Sequence, residues 1–325
     1  MKLSSAYSKA NVTQLGAIAR SCLTPGQRGR VLAALSNAIY LLTDMNELFW
    51  IATAAAALHQ RCAIISSPLP GPSVGAPFHV EHHRLTIDPA FVFDIGQAPV
   101  WHAPYVEPQH VLEISQLSAR IQTFISNLDF SQAEGFGNFI SLILQLTRNE
   151  STNPQPVLVD PVLLFARPLI LEIAHACIEH DPQRISQNAD ALIGLGAGLT
   201  PSGDDFLGGL LFAIKTIQTV YPDPNFKNYE ISIDTYSSQT NLISFTLLRD
   251  LANGHAIAPL HHIVNVLISG ESLDSIYPSV SKLTRVGHST GWDLLTGLLT
   301  GLLIVSRSRN EWEKPENRGA GFSLL

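Results

Sequence analysis

The chain has 325 residues, 46% of them hydrophobic and only 14% charged, with a formal net charge of −7. That composition excludes disorder, collagen and coiled coil, and a chain this long buries about three quarters of its unfolded surface on folding. Six lysines and no basic cluster argue against nucleic-acid or anionic-membrane partners, whose phosphates need concentrated Lys and Arg, and leave proteins and small molecules.

Residues 1–28 are expected as an N-terminal helical segment. Over 29–105, GRVLAALSNAIYLLT and ELFWIAT flank the turn Asp44-Met45-Asn46, and CAIISS, FHVEHHRLTID and AFVFDI follow between Pro and Gly punctuation. This predicts a small antiparallel β unit. Residues 31–42 are also rich in Ala and Leu and read equally as a helix on periodicity. After Pro104 and Pro108 the apolar spacing turns helical over 111–128, 136–147, 162–180, 205–219 and 241–253. Residues 106–308 are therefore predicted to be a mostly helical domain, with 309–325 as a mobile polar tail. The fold class expected is α+β, a small antiparallel β unit followed by a larger helical domain.

Cys22, Cys62 and Cys177 are odd in number, far apart and without CxxC spacing, which points to a reducing cytoplasm rather than to a disulfide framework or a zinc knuckle. Lys2 and Lys9 precede no continuous apolar segment, and the apolar runs 48–58 and 294–305 are shorter than a membrane span, so a soluble, unprocessed chain is expected. So few charges on so large a chain predict an oligomer or a complex subunit that hides apolar surface.

One stretch departs furthest from average sequence. Residues 194–209 read GLGAGLTPSGDDFLGG, between a helix-like segment and a strongly apolar helix. Thr200 as N-cap with Pro201 at the first helical position predicts a helix start directly after the glycines. Glycines at 194, 196 and 198 allow positive φ or a close ligand, and the free N–H groups of the helix start favour an anion. Asp204 and Asp205 fall in the first turn. One acid suffices there for capping, so the second asks for a substrate amide, a cation or a proton transfer. Glycines that only permit tight helix packing, with aspartates that only cap, are the bland alternative.

Residues 290–299, TGWDLLTGLL, repeat residues 202–211, SGDDFLGGLL, at an offset of 88 with 6 of 10 positions identical. The chain therefore has two similar helix starts, the second preceded by Gly287, His288 and Ser289. Two N-termini converging on one site would put Asp205 and Asp293 in matched positions. Thr240 and Ser244 lie one helical turn apart and can face the same cavity. Arg285 is the cation best placed to grip a carboxylate or phosphate. Gly71-Pro72-Ser73-Val74-Gly75 fits GxSxG without the helix a nucleophile elbow requires. Gly194, Gly196 and Gly198 make GxGxG rather than a dinucleotide fingerprint, and His79, Glu81 and His83 share a strand face without a further ligand. No metal is demanded, although an Asp pair can hold Mg²⁺ through water.

The strings GLGAGLTPSGDDFLGG, TNLISFTLLRDLANG and GHSTGWDLLTGLL resemble a bacterial family that includes the third subunit of oxamate carbamoyltransferase. The resemblance runs from about residue 29 to about residue 303 and includes the hairpin GRVLAALSNAIYLLTDMNELFWI. Where the family motif carries Pro or Ala between the second and third glycines, this chain has Ala197. Members sit in operons for anaerobic allantoin breakdown. The resemblance implies a cytoplasmic transferase subunit of purine catabolism and nitrogen metabolism, exchanging oxalurate and phosphate for oxamate and carbamoyl phosphate, with other subunits as partners and no cofactor. Gly196, Gly198, Thr200, Ser202 and Gly203 would then supply donors to the planar anion, with Thr240, Ser244, Arg285, His288, Ser289 and Gly291 around it. Asp204, Asp205 and Asp293 would be the catalytic carboxylates. A stand-alone ureide or amide hydrolase, a carboxylase-like enzyme and a non-catalytic anion-binding subunit remain open alternatives.

Overall fold

Strand-forming residues fill the first hundred positions. In the computed structural model, which describes residues 8–148, 159–223, 226, 229 and 231–305, they build nine strands. These are β1 (Ser8–Gly16), β2 (Arg28–Ala34), β3 (Ala38–Thr43), β4 (Leu48–Thr53), β5 (Cys62–Ile65), β6 (Pro77–Glu81), β7 (Arg84–Ile87), β8 (Phe91–Asp94) and β9 (Val100–Trp101). They pair in the order β5-β4-β3-β2-β6-β7-β8-β1-β9, and an added β1–β5 pairing closes the first eight into a ring. Closure leaves those eight strands without an unpaired edge, the usual hazard of a sheet this size.

The expectation of a purely antiparallel unit is corrected. The pairs β1–β8, β1–β9 and β4–β5 are parallel, and the others are antiparallel. The expected helical segment over 1–28 is corrected too: residues 8–16 are strand β1, and among the described residues of that segment only α1 (Ala17–Cys22) is helical. The reason is non-local. SKANVTQLG has β5 on one edge and β8 followed by β9 on the other, a pairing no local periodicity reveals. The stretch that suits helix or strand over 31–42 resolves into β2 and β3, which pair in a hairpin. Likewise FHVEHHRLTID is two strands, turning at His82 with φ 50°. His83 therefore leaves the face shared by His79 and Glu81.

This first unit comprises the described residues up to Pro104 together with His255–Ala258. Leu15, Ile39, Leu41, Phe49, Phe78 and Phe93 fill its core, with Phe49 edge-on to Phe78 at 5.7 Å. The helix α1 packs on β4 and β5, which is why CAII and LFWIA are buried throughout rather than alternating.

The second unit comprises Tyr105–Gly254 and the described residues from Pro259 onward. Its helices are α2 (Ile114–Asn127), α3 (Ile140–Arg148), α4 (Pro161–Glu179), α5 (Pro182–Ala189), α6 (Ser202–Val220), α7 (Leu242–Ala252), α8 (Ala258–Ser269), α9 (Tyr277–Leu283) and α10 (Thr290–Gly301). Local chemistry sets several starts. Glu113 and Gln116 form a capping box on α2, Asp160 caps α4 ahead of Pro161, and Asn241 caps α7. The α+β layout, strands first and helices after, is present. The tail expected over 309–325 lies outside the described residues.

Helices α6 and α10 form the centre of this unit, α10 being buried at every position from Gly291 to Gly301. A helix apolar on all sides belongs in a core. Among the described residues one helix, Pro161–Glu179, is long and apolar enough to cross a membrane, and a third of that stretch is buried. The apolar runs 48–58 and 294–305, which stand out in the sequence, are not that helix. All three cysteines are free and buried, and burial pushes the thiols of Cys22 and Cys62 up to about 11 and about 12.

Candidate functional site at two crossed helix starts

The internal repeat has a physical counterpart. A Cβ on Gly209 of α6 would stand 2.1 Å from the carbonyl oxygen of Leu294 and 2.9 Å from the nitrogen of Leu298. A Cβ on Gly297 of α10 would stand 1.9 Å from the carbonyl oxygen of Phe206 and 2.9 Å from the nitrogen of Leu210. Residues 206, 209 and 210 correspond to 294, 297 and 298 at the offset of 88, so the two contacts are mutual images. That is the signature of a local two-fold axis between α6 and α10. Only glycine lets the helices approach so closely.

The two helix starts are built alike and lie together, although their contacts are not images at the same offset. Gly203 packs on the carbonyl of Leu192, and Gly291 packs on that of Leu283, each at 1.8 Å from where a Cβ would be. The N–H of Asp205 bonds to Pro201 O at 3.1 Å, and that of Asp293 to Ser289 O at 2.9 Å. Across the axis Thr200 Oγ1 lies 3.1 Å from Thr290 Oγ1, and Ser202 Oγ lies 3.3 Å from Ser289 Oγ. The α6 start is one residue later than predicted. Pro201 occupies the N-cap position and no side chain caps the helix, because the Thr200 hydroxyl is engaged with Thr290 and Asp205 instead.

The three carboxylates separate into two roles. Asp204 is consumed by the fold. Its Oδ1 accepts the Gly194 N–H at 2.7 Å, and its Oδ2 accepts the Ser244 hydroxyl at 2.6 Å and the Thr240 hydroxyl. Asn241 adds a bond from Nδ2 to Leu199 O at 2.9 Å. These bonds tie the glycine loop, where Gly194, Gly196 and Gly198 all take positive φ, to the start of α7.

Asp205 and Asp293 stand near enough for the Asp293 charge to act on Asp205. Burial holds the Asp205 carboxyl well above the usual carboxylate range, and the Asp293 charge adds to it, while the hydroxyls of Thr290 and Thr200 pull the other way. Burial pushes Asp293 up to about 6, against the opposing effect of the Phe136 N–H, at 2.7 Å from Oδ1, and of the Ser289 and Ser202 hydroxyls. Each carboxylate keeps one buried oxygen, Oδ2, without a hydrogen-bond partner. Two adjacent buried acids with raised affinity for protons are suited to donating, accepting or sharing one.

The remaining sequence-predicted residues divide plainly. Thr200, Ser202, Ser289, Gly203 and Gly291 stand at the paired starts, and Thr240 and Ser244 reach Asp204. Gly198 is exposed, with nothing within 4 Å of where its Cβ would be, so a ligand can approach the backbone there. Gly196 packs on the N–H side of Ser202. Arg285 is exposed and no hydrogen bond or ion pair joins it to the carboxylates. His288 is exposed and pairs with Glu134 at 2.8 Å rather than with either aspartate. Sequence reasoning missed Glu134, the Phe136 N–H and Asn241, and it missed Thr290, which the repeat register against Ser202 could have identified. Among the described residues no group of three or more His, Cys, Asp or Glu could hold a metal ion.

Residues 192–302 match the model of a family described as oxamate carbamoyltransferase subunit AllH. The match spans about a third of the chain, from the turn that receives Gly203 to the end of α10, and it supports the AllH-type family for this chain. No solved structure matches the chain.

Proposed function

We propose that this chain is a subunit of an oxamate carbamoyltransferase-type enzyme and that the paired starts of α6 and α10 form part of its active site. The observation that carries the reading is that the matched segment contains both buried, partner-deficient carboxylates and the glycine loop beside them. The reaction proposed is exchange of oxalurate and phosphate for oxamate and carbamoyl phosphate, within ureide breakdown. Backbone N–H groups around Gly196 and Gly198, and the hydroxyls of Thr200 and Ser202, suit a planar anion with carboxylate and amide groups. Arg285, exposed near the start of α10, is available to the charged end of such a substrate. The site is proposed to work in the cytoplasm with other protein subunits and without a metal or cofactor.

One observation favours a second reading, a non-catalytic anion-binding subunit. Asp204 is fully spent on structural bonds, and Asp293 is closed to solvent. The two readings part in one experiment. The tagged chain is purified from its native cells with its co-purifying subunits, and oxamate-dependent release of phosphate from carbamoyl phosphate is followed. Release that disappears when the partners are stripped away supports the transferase subunit. Asp205→Asn should then lower turnover by about 10² or more, as expected for a group acting in proton transfer. Unchanged turnover favours the non-catalytic subunit, and phosphate-independent hydrolysis of a ureide by the isolated chain favours a hydrolase.

A further inference from the structure

The buried oxygens Oδ2 of Asp205 and Asp293 pose an accounting problem. An unpaired buried polar atom is costly, and two ionised carboxylates side by side away from water are costlier still. The donors around them are already committed. The Phe136 N–H serves Asp293 Oδ1, the Thr200 and Thr290 hydroxyls serve each other and Asp205, and the Ser202 and Ser289 hydroxyls serve each other and Asp293. The Gly194 N–H, Thr240 and Ser244 are spent on Asp204.

Among the described residues no cation acts on the pair. The other charge acting on Asp205 is Asp204, of the same sign and on the same helix. From the turn before α3, Glu134 faces His288 of the α10 approach, and these two pair with each other. Arg285 on that approach is exposed. A single proton resolves both deficits at once, because a protonated Oδ2 donates to its neighbour and the ionised Oδ2 accepts.

We propose that Asp205 and Asp293 form one acid–base unit that holds a single proton at neutral pH across the local two-fold axis joining α6 and α10. Its use in catalysis rests on the carbamoyl-exchange reading. In that exchange an oxygen of hydrogen phosphate forms a bond to the carbamoyl carbon, and the bond from that carbon to the oxamate nitrogen breaks. The ionised carboxylate takes the proton of the attacking phosphate, and the protonated carboxyl gives its proton to the departing amide nitrogen. The unit therefore ends each turnover with one proton, as it began, and passage of that proton between the two carboxylates restores their starting roles.

The test is infrared difference spectroscopy on the full chain labelled with ¹³C-aspartate at neutral pH. The wild type should show the carbonyl absorption of one protonated carboxyl, shifted in heavy water, and Asp205→Asn and Asp293→Asn should each move or remove it, since either change replaces the carboxylate on the other side of the shared proton. No such absorption in the wild type overturns the proposal. An absorption left at the same position in either variant overturns it as well, because the proton would then belong to one residue alone. Titration of the wild type decides the same point without any variant: the absorption must vanish above neutral pH with loss of one proton, and loss of two overturns the shared unit. Phosphate release by the assembled complex is scored separately. Its absence would sink the carbamoyl reading while leaving the infrared result to decide the shared proton.

Discussion

Replacing Asp293 with Asn converts a buried acid into a neutral group of the same shape, and its effect on stability follows from linkage. The Asp293 carboxyl ordinarily titrates near 3.8 and is pushed up to about 6 in the folded chain. A group held above its unfolded value contributes stability that is fully present below about 3.8 and is lost as pH rises through about 6. At about 1.36 kcal/mol per pH unit, the loss amounts to about 3 kcal/mol by slightly alkaline pH. Asn escapes it, because its Oδ1 still accepts the Phe136 N–H and its amide carries no charge to bury. Urea unfolding of wild type and variant at about pH 4 and about pH 8 measures the difference. The variant should gain about 2.5 kcal/mol on the wild type between those two conditions, since the unfolded group is already partly ionised at about pH 4, whatever constant offset separates them at the acidic end. A stability difference that stays flat across that range would refute the reasoning, since it would mean that Asp293 titrates in the fold as it does in the unfolded chain.

Asp204→Ala strips three hydrogen bonds from the glycine loop and leaves the Gly194 N–H and the Thr240 and Ser244 hydroxyls unanswered, so a cost of about 3–5 kcal/mol is expected from the urea midpoint. A cost below about 1 kcal/mol would show that the loop does not depend on it. Gly209→Ala and Gly297→Ala each drive a methyl group into the backbone of the opposite helix and should destabilise by similar amounts, on the order of 3 kcal/mol, because the two contacts are mutual images. A large cost at one position and none at the other would break the two-fold relation. His288→Ala removes only an exposed pair with Glu134 and should change stability by less than about 0.5 kcal/mol, as read from the same urea midpoints.

What the sequence made legible follows the range of the interactions involved. The helices over 162–180 and 241–253 were readable because their signals are local: Pro161 behind Asp160, and Asn241 ahead of an apolar periodic run. Strand β1 was unreadable because its identity depends on β5, β8 and β9, segments about fifty to ninety residues away. The same holds for the parallel β4–β5 pair, since alternation along a strand reports burial and not the direction of its neighbour. The Thr200 cap failed for a related reason. A hydroxyl ahead of Pro suits an N-cap locally, but Thr290, ninety residues on, offers a partner that only the folded chain presents.

The candidate site was legible to the extent that the chain repeats itself. Six identities in ten at one offset carry no chemistry alone, yet they required Asp293 to stand at α10 where Asp205 stands at α6. Glycines at 209 and 297 then let the two helices cross with their starts together, so the sequence likeness became a spatial pairing of two acids. Asp204 has no counterpart in the repeat, where Trp292 stands instead, and it is the acid that turns out to bond the loop rather than face the axis. The register of the repeat thus separates the paired acids from the structural one. What the register could not supply was the Phe136 N–H on Asp293, because a backbone donor from a distant turn leaves no residue type in the sequence to mark it. A buried carboxylate that costs stability, with a second at the matched position of an internal repeat, is an arrangement that packing alone does not favour, and this is the physical ground for proposing function there.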